Sequence, residues 1–286
     1  MFGLSSMTAP LKRVAMRRPD SMLTADTKEW HYGPTFDPAG IEREHAAFAD
    51  LVAASGAEIM WMNGSDNGIA DAVFTYDASL MTPKGAILMA PGKHLRKGEQ
   101  NLHRAFYEEN QIAIVGEITD PGTVEGGDTL WLDETNLAVG RGFRTNQAGI
   151  EQLTVILADQ GVTVHAFDLP VFQGAAACLH LMSVISPVDT KTAVIYAPLM
   201  PVAFWQLLQD MGYTLIEASE ADFEDSNGLS LNILATAPGK CIMIDGYPAT
   251  RQAMENAGIE VQVFTGTALC IACEGGPTCM TRPILR

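Results

Sequence analysis

Cys279 lies in the segment EGGPTCMTRP, directly after a turn imposed by Gly275, Gly276 and Pro277. A thiol after such a turn can face a cavity with backbone N–H groups beside it. A free cysteine is mostly protonated at neutral pH, so a nucleophilic role requires a partner that favours the thiolate. Without that partner it is a structural thiol near a turn. His180, in CLHLMS, is either a proton carrier or a hydrogen-bonded core histidine. Carboxylates stand at matching places: Asp71 and Asp77 in IADAVFTYD, Glu125 and Asp128 in TVEGGDTL. Gathered in one cavity, a cysteine, a histidine and several carboxylates can serve as nucleophile, acid/base and cation holder. Arg96 in HLRKGE and Arg144 in GFRTN stand near glycine turns, as surface cations or as a grip on a substrate carboxylate.

Other motifs are weaker. The glycines of EGGD resemble a phosphate cradle, but Glu125 and Asp128 beside them would repel an anion. Cys178, Cys241 and Cys270 lie in apolar runs and read as buried, inert thiols. Cys270 and Cys273 form a C-x-x-C without a second pair or a nearby histidine. On a strand, residues three apart face opposite sides, which opposes shared ligation. No metal is expected.

The elements that must position these residues recur along the chain. An apolar strand-like run, a turn, a second run, an amphipathic helix and a third run repeat with a period of about 50 residues, in the range of propellers and arrays. The second unit reads AVFTYDASLMT, PKGAILMAP, GEQNLHRAFYEEN, QIAIVGEI. The third reads DTLWLDE, TNLAVGRG, TNQAGIEQLTVILADQG, VTVHAFDL. The fourth starts at HLMSVISP and the fifth at SLNILATAPG. The first is split: LKRVAMRRP and IEREHAAFADLVAASGAEIMWM give strand, helix and strand, and the stretch beyond Cys270 supplies the missing strand. Each unit leaves an apolar sheet face that needs a neighbour. Five units closed in a ring leave a central channel where the charged residues at matching strand ends converge. The paired short runs before each helix favour this over a doubly wound sheet.

Composition bounds the rest. The 286 residues are 47% hydrophobic and 18% charged, a globular composition large enough for a sizeable core. A net charge of -16 excludes the basic footprint of a duplex binder and suits solubility or cationic ligands. No stretch approaches the ~20 apolar residues of a membrane span. Five cysteines and no apolar leader block fit a reducing cytoplasm.

DAVFTYD, LRKGE, VEGGD, GFRTN, LHLMS and GGPTCMT, in that order over nearly the whole chain, resemble the guanidino-modifying, or pentein, superfamily. The resemblance implies a closed five-unit α/β propeller of ββαβ-type units over residues 1–286 as one catalytic domain. It implies Cys279 as nucleophile, His180 as acid/base, and Glu125 as the carboxylate that positions the guanidinium and His180. Asp77 is implied to grip guanidinium nitrogens and Arg96 and Arg144 to bind an α-carboxylate, while Asp71 and Asp128 match motif positions. The implied ligand is a small cationic guanidine, with no cofactor, and a homo-oligomer is compatible with it. Typical arginine deiminases carry H-L-D where this chain has His180, Leu181 and Met182. The lost carboxylate favours an N-methylated arginine, hydrolysed to citrulline and alkylamine through a Cys279 thiouronium. Arginine deimination, amidino transfer and non-catalytic guanidine binding are the alternatives. The long stretch over residues 22–36 is a lid or an ordered surface loop.

Overall fold

The computed structural model describes residues 1–174, 177 and 179–286. Strands β1 (Arg13–Met16) and β2 (Glu58–Trp61) run parallel, joined across α1 (Thr27–Trp30) and α2 (Pro38–Ala54). β3 (Ser79–Thr82) and β4 (Gly85–Leu88) form a hairpin, and α3 (Glu99–Glu109) leads to β5 (Ile114–Glu117), parallel to β4. The same order gives β6 (Thr129–Asp133), β7 (Asn136–Arg141), α4 (Gln147–Ala158) and β8 (Thr163–Asp168). Next come β9 (Ile185–Asp189), β10 (Thr192–Ile195), α5 (Val202–Asp210) and β11 (Thr214–Glu217). After α6 (Glu220–Asp225), which the repeat did not anticipate, follow β12 (Leu234–Ala237), β13 (Lys240–Ile244), α7 (Pro248–Asn256) and β14 (Glu260–Phe264). Finally β15 (Arg282–Leu285) pairs antiparallel with β1, so both ends of the chain share one sheet.

The five sheets thus repeat one plan, and the split first unit is closed as the sequence implied. Physical pattern explains the plan. In the middle strands, Ala86, Ile87 and Leu88 of β4 and Ile242, Met243 and Ile244 of β13 are buried, because both faces are covered. The outer third strands, such as β5, are only half-buried. In α2 the spacing of Ile41, His45, Phe48 and Val52 lays one stripe against the sheet, with Phe48 5.0 Å from the Phe264 ring. Asp37 caps that helix by accepting from Gly40 N–H, and Pro38 opens it.

The ring is closed by hydrogen bonds between the loops that lead into the first strand of each unit. Tyr76 N–H donates to Cys279 O at 3.0 Å, and Gly126 N–H to Asp77 O at 2.9 Å. Leu181 N–H donates to Asp128 Oδ1 at 2.9 Å, and Ile233 N–H to Ser186 Oγ at 3.3 Å. Thr278 N–H donates to Asn232 Oδ1 at 2.9 Å, returning to the first unit. These bonds satisfy buried backbone groups while fixing how the units face one another.

Two local expectations need correction. The long first runs of units two, four and five are not strands throughout. Their leading halves wind into short 3-10 turns at Ala70–Val73, Leu181–Ser183 and Leu229–Leu231, and only the trailing halves pair in the sheet. A strand cannot turn its leading residues into the channel, whereas a tight turn can. The Cys270–Cys273 segment is helical, beginning within a π turn over Thr267–Ile271, rather than a strand. Glu44 accepts from Ala268 and Leu269 N–H and holds that turn's otherwise unpaired start.

Candidate active site

Five leading loops bring one polar side chain each to the same end of the ring. Asp77 stands two residues before β3, Glu125 ahead of the turn that feeds β6, and His180 ahead of the turn that feeds β9. Asn232 stands two residues before β12, and Cys279 three before β15. All but Glu125 line a cavity of ≈130 Å³, together with Asp71, Lys93, Arg96, Arg144, Met182 and Trp30 among others. Beneath it the channel is nearly filled: a void of ≈10 Å³ lies among Tyr76, Met182, Thr278 and Arg282. Arg282 packs its guanidinium 3.9 Å from the Tyr76 ring.

His180 Nε2 is 2.7 Å from Glu125 Oε2. A carboxylate accepts only, so the proton of a neutral His180 sits on Nε2 and Nδ1 carries the lone pair. Glu125 is fully buried behind His180 and does not line the cavity. Despite its burial, its carboxyl is held well below the usual range by His180, Arg144 and Arg96. Lys93 N–H donates to its other oxygen at 3.0 Å, and Arg144 Nη1 lies 3.4 Å from it. Gly127 sits against the imidazole so closely that a Cβ there would be 2.8 Å from His180 Cγ. The glycines of EGGD therefore make room for His180 and Tyr76 and cradle no anion.

Asp77 accepts from Gly127 N–H at 2.8 Å on one oxygen and from Arg96 Nη1 at 2.6 Å on the other. Burial raises its carboxyl, and Arg96 and His180 outweigh that and hold it below the usual value. Arg96 is itself buried, with Nε donating to Glu99 at 2.8 Å and Nη2 to Glu99 and Phe74 O at 2.9 and 3.1 Å. Its fork is thus committed to Asp77 and Glu99, where the sequence had suggested a grip on a substrate carboxylate. Burial pushes Glu99 up to about 8 against the pull of Arg96. Asp128 is buried outside the cavity wall, where burial pushes it up to about 6; it anchors the Leu181 turn that presents His180.

Asp71 faces the cavity and accepts from Lys93 Nζ at 2.6 Å and from Tyr32 O–H at 2.8 Å. Tyr32 belongs to the stretch over residues 22–36, and Trp30 of that stretch lies over Lys93 at 5.1 Å. Gly33 N–H donates to Ala272 O at 2.6 Å, so the stretch is docked across the cavity's rim. Cys279 Sγ accepts from Asn232 Nδ2 at 3.0 Å. Burial pushes its thiol up to about 11, aided by Asp77 and opposed by Gly276 N–H, Asn232 and His180. Cys241 and Cys270 are buried thiols pushed upward by burial, and Cys178 lies outside the described residues.

Lys93, Glu99, Asn232 and Tyr32 escaped the sequence reading. Glu99 had a signal, three residues after Arg96 at the start of a helix. Asn232 had one too: SLN leads the fifth unit just as LHL leads the fourth. Lys93 and Tyr32 are set by tertiary contact alone. Ligand atoms of Asp77, Glu125 and His180 lie within 4.8 Å of one another, a spacing that could suit a metal ion. His180 and Glu125 are hydrogen-bonded to each other, however, and both Asp77 oxygens are engaged.

A family model for arginine deiminase matches residues 67–214, more than half of the chain. The arginine deiminase of Mycobacterium avium is 28% identical over 246 residues, 75% of this chain and 60% of the relative. The chain thus spans about 60% of the length of the arginine deiminases it matches. The dimethylarginine dimethylaminohydrolase of Pseudomonas aeruginosa is 25% identical over 270 residues, covering 94% of this chain and 98% of the relative. Among solved structures, an amidinotransferase from Microseira wollei superposes with a TM-score of 0.81 at 15% identity, over 100% of this chain and 97% of that one, a likeness of fold. A cysteine, a histidine–glutamate pair and a buried aspartate on four of the five matched blades agree with that kinship, and the chain belongs to the arginine deiminase family of the guanidino-modifying, pentein superfamily.

Proposed function

We propose that this protein hydrolyses the guanidinium carbon of an N-methylated arginine, giving citrulline and an alkylamine through a thiouronium on Cys279. The observation that carries the reading is the convergence of Cys279, His180 with Glu125 behind it, and Asp77 on one blind cavity. Met182 refines it. This apolar side chain lines the wall where a second guanidinium-binding carboxylate would stand in an arginine deiminase, offering an apolar surface to N-methyl groups. The full-length match to a dimethylarginine dimethylaminohydrolase, against the partial match to the longer arginine deiminases, supports the same branch.

The chemistry follows from the contacts. Each carboxylate oxygen of Asp77 has lone-pair capacity beyond its present bond, so it can accept from substrate N–H groups. The substrate cation then stands beside a thiol that burial keeps protonated, and opposite charge favours the thiolate. The thiol proton passes to His180 as the thiolate adds to the guanidinium carbon. His180 protonates the departing amine, then takes a proton from the water that attacks the thiouronium carbon, and Cys279 leaves as thiolate. Glu125 acts through His180, fixing its ring and stabilising its cation. Arg144 holds the substrate carboxylate, with Arg96 orienting Asp77. Among the described residues, Cys241, Cys270, Cys273 and Cys279 are free thiols, which suits a reducing cytoplasm.

The test is a substrate profile of the purified protein with asymmetric dimethylarginine, arginine and agmatine, read as ureido product. Turnover of the methylated substrate in preference to arginine is expected. Preference for arginine would move the protein to the deiminase branch, and absence of turnover with all three would overturn the hydrolase reading.

A further inference from the structure

The fifth blade has no assigned part in the chemistry, although its leading loop holds the place that the other four give to Asp77, Glu125, His180 and Cys279. Asn232 occupies that place and lines the cavity. Its side-chain amide makes two bonds, both to the nucleophile's loop: Nδ2–H donates to Cys279 Sγ at 3.0 Å, and Oδ1 accepts from Thr278 N–H at 2.9 Å. The second bond fixes the first. A backbone N–H can only donate, so Oδ1 must face Thr278 and Nδ2 must face the sulfur. Thr278 Oγ1 donates in turn to Ile233 O at 2.9 Å, clamping the two loops on both sides of Asn232. Gly276 yields the space: a Cβ there would lie 2.5 Å from Asn232 Cγ and 2.6 Å from its Cβ. The glycine turn before the cysteine is thus shaped around this amide.

We infer that Asn232 is a positioning residue for the nucleophile, holding Cys279 Sγ toward the cavity and stabilising its thiolate by N–H donation. The inference rests on Cys279 being the attacking atom. Donation to a buried anion is stronger than to the neutral thiol, so the amide favours the ionised form at a site where burial opposes it. After the thiouronium forms, the sulfur carries no anionic charge and the bond weakens. It strengthens again as the thiolate leaves, so Asn232 assists both the attack and the second step's departure.

The experiment compares wild type, Asn232→Ala and Asn232→Asp by the pH dependence of iodoacetamide alkylation, reading the Cys279 peptide by mass spectrometry. Asp keeps the oxygen that receives Thr278 N–H but removes the donor to sulfur and adds a negative charge. The expected thiol pKa order is wild type below Ala below Asp, with alkylation at pH 7.5 falling about 10-fold in Ala and further in Asp. A merely structural role predicts an unchanged pH profile of alkylation for Asn232→Ala, whatever its stability. A profile for Asp within twofold of wild type would overturn the inference. If Asn232→Ala fails to fold, an Asn232→Asp profile that stays near wild type still overturns the inference. Because alkylation needs no guanidine, a wild-type protein that turned over no guanidine would sink the proposed activity without touching this result.

Discussion

Replacing Gly127 by alanine tests whether the geometry around His180 matters for the chemistry. Gly127 has an ordinary negative-φ backbone, so alanine meets no conformational strain there and the added methyl acts by volume alone. That methyl would lie 2.8 Å from His180 Cγ and 3.0 Å from Cε1, where ordinary contact begins at 3.4 Å. Nδ1 lies closer still, so the ring must shift by about 1 Å, which spoils the alignment of its 2.7 Å hydrogen bond with Glu125. Overpacking of this kind costs about 1–3 kcal/mol of stability. A catalytic group misplaced by close to an ångström loses about 100-fold in rate, near 2.7 kcal/mol of barrier. The assay is kcat on dimethylarginine together with a thermal melt. Gly142→Ala is the control, because its methyl would come no nearer than 3.6 Å to any neighbour. A Gly127→Ala enzyme that melts lower but keeps kcat within threefold of wild type would refute the claim that His180 needs this placement.

Glu125→Gln keeps the side chain's shape but removes the charge that stabilises protonated His180; kcat on dimethylarginine should fall by at least 100-fold, and loss of one partner of a buried pair should cost about 3–5 kcal/mol by denaturant unfolding. Asp128→Asn should stabilise the fold at pH 7.5, because the folded-state carboxyl is raised to about 6 from an ordinary 3.8. The native state then binds the proton more tightly than the unfolded one, so Asp128 costs up to about 3 kcal/mol above pH 6 and nothing below pH 4. The variant's advantage in Tm should accordingly shrink as pH falls through that window, and an advantage unchanged at pH 4 would contradict the assignment. Tyr32→Phe removes a hydrogen bond to the buried Asp71 and should cost about 1 kcal/mol; a raised KM with faster proteolysis of the 22–36 stretch would identify that stretch as a closing element.

Most of the architecture was legible because the repeat alternates two periodicities, a period of two in the runs and a helical period between them. Even the split first unit could be reconstructed from a strand, helix and strand that lacked one partner. The leading runs were misjudged where apolar residues serve a 3-10 turn as readily as a strand: Leu181 and Met182 are buried either way. Asp77, Glu125, His180 and Cys279 were legible as chemistry because ionisable and nucleophilic residues stood at equivalent places in the repeat. Asn232 stood at the fifth such place but is neutral, and a neutral amide draws no attention until its partner is seen. The commitment of Arg96 to Asp77 could not be read because they are nineteen residues apart and meet only when a loop folds back over the hairpin. The docking of Tyr32 on Asp71 is longer in range still.

The pairing of β1 with β15 also sets a timetable for synthesis. Four sheets are built from neighbouring stretches of chain and can form as they leave the ribosome. The remaining sheet joins Arg13 to Leu285, so its antiparallel edge must wait for the final strand. Cys279 precedes that strand by three residues and reaches the cavity in the same event. A nascent chain can therefore carry His180, Glu125 and Asp77 in folded blades while Cys279, the proposed nucleophile, is still missing from the cavity, and the proposed reactivity arises only when the circle is completed.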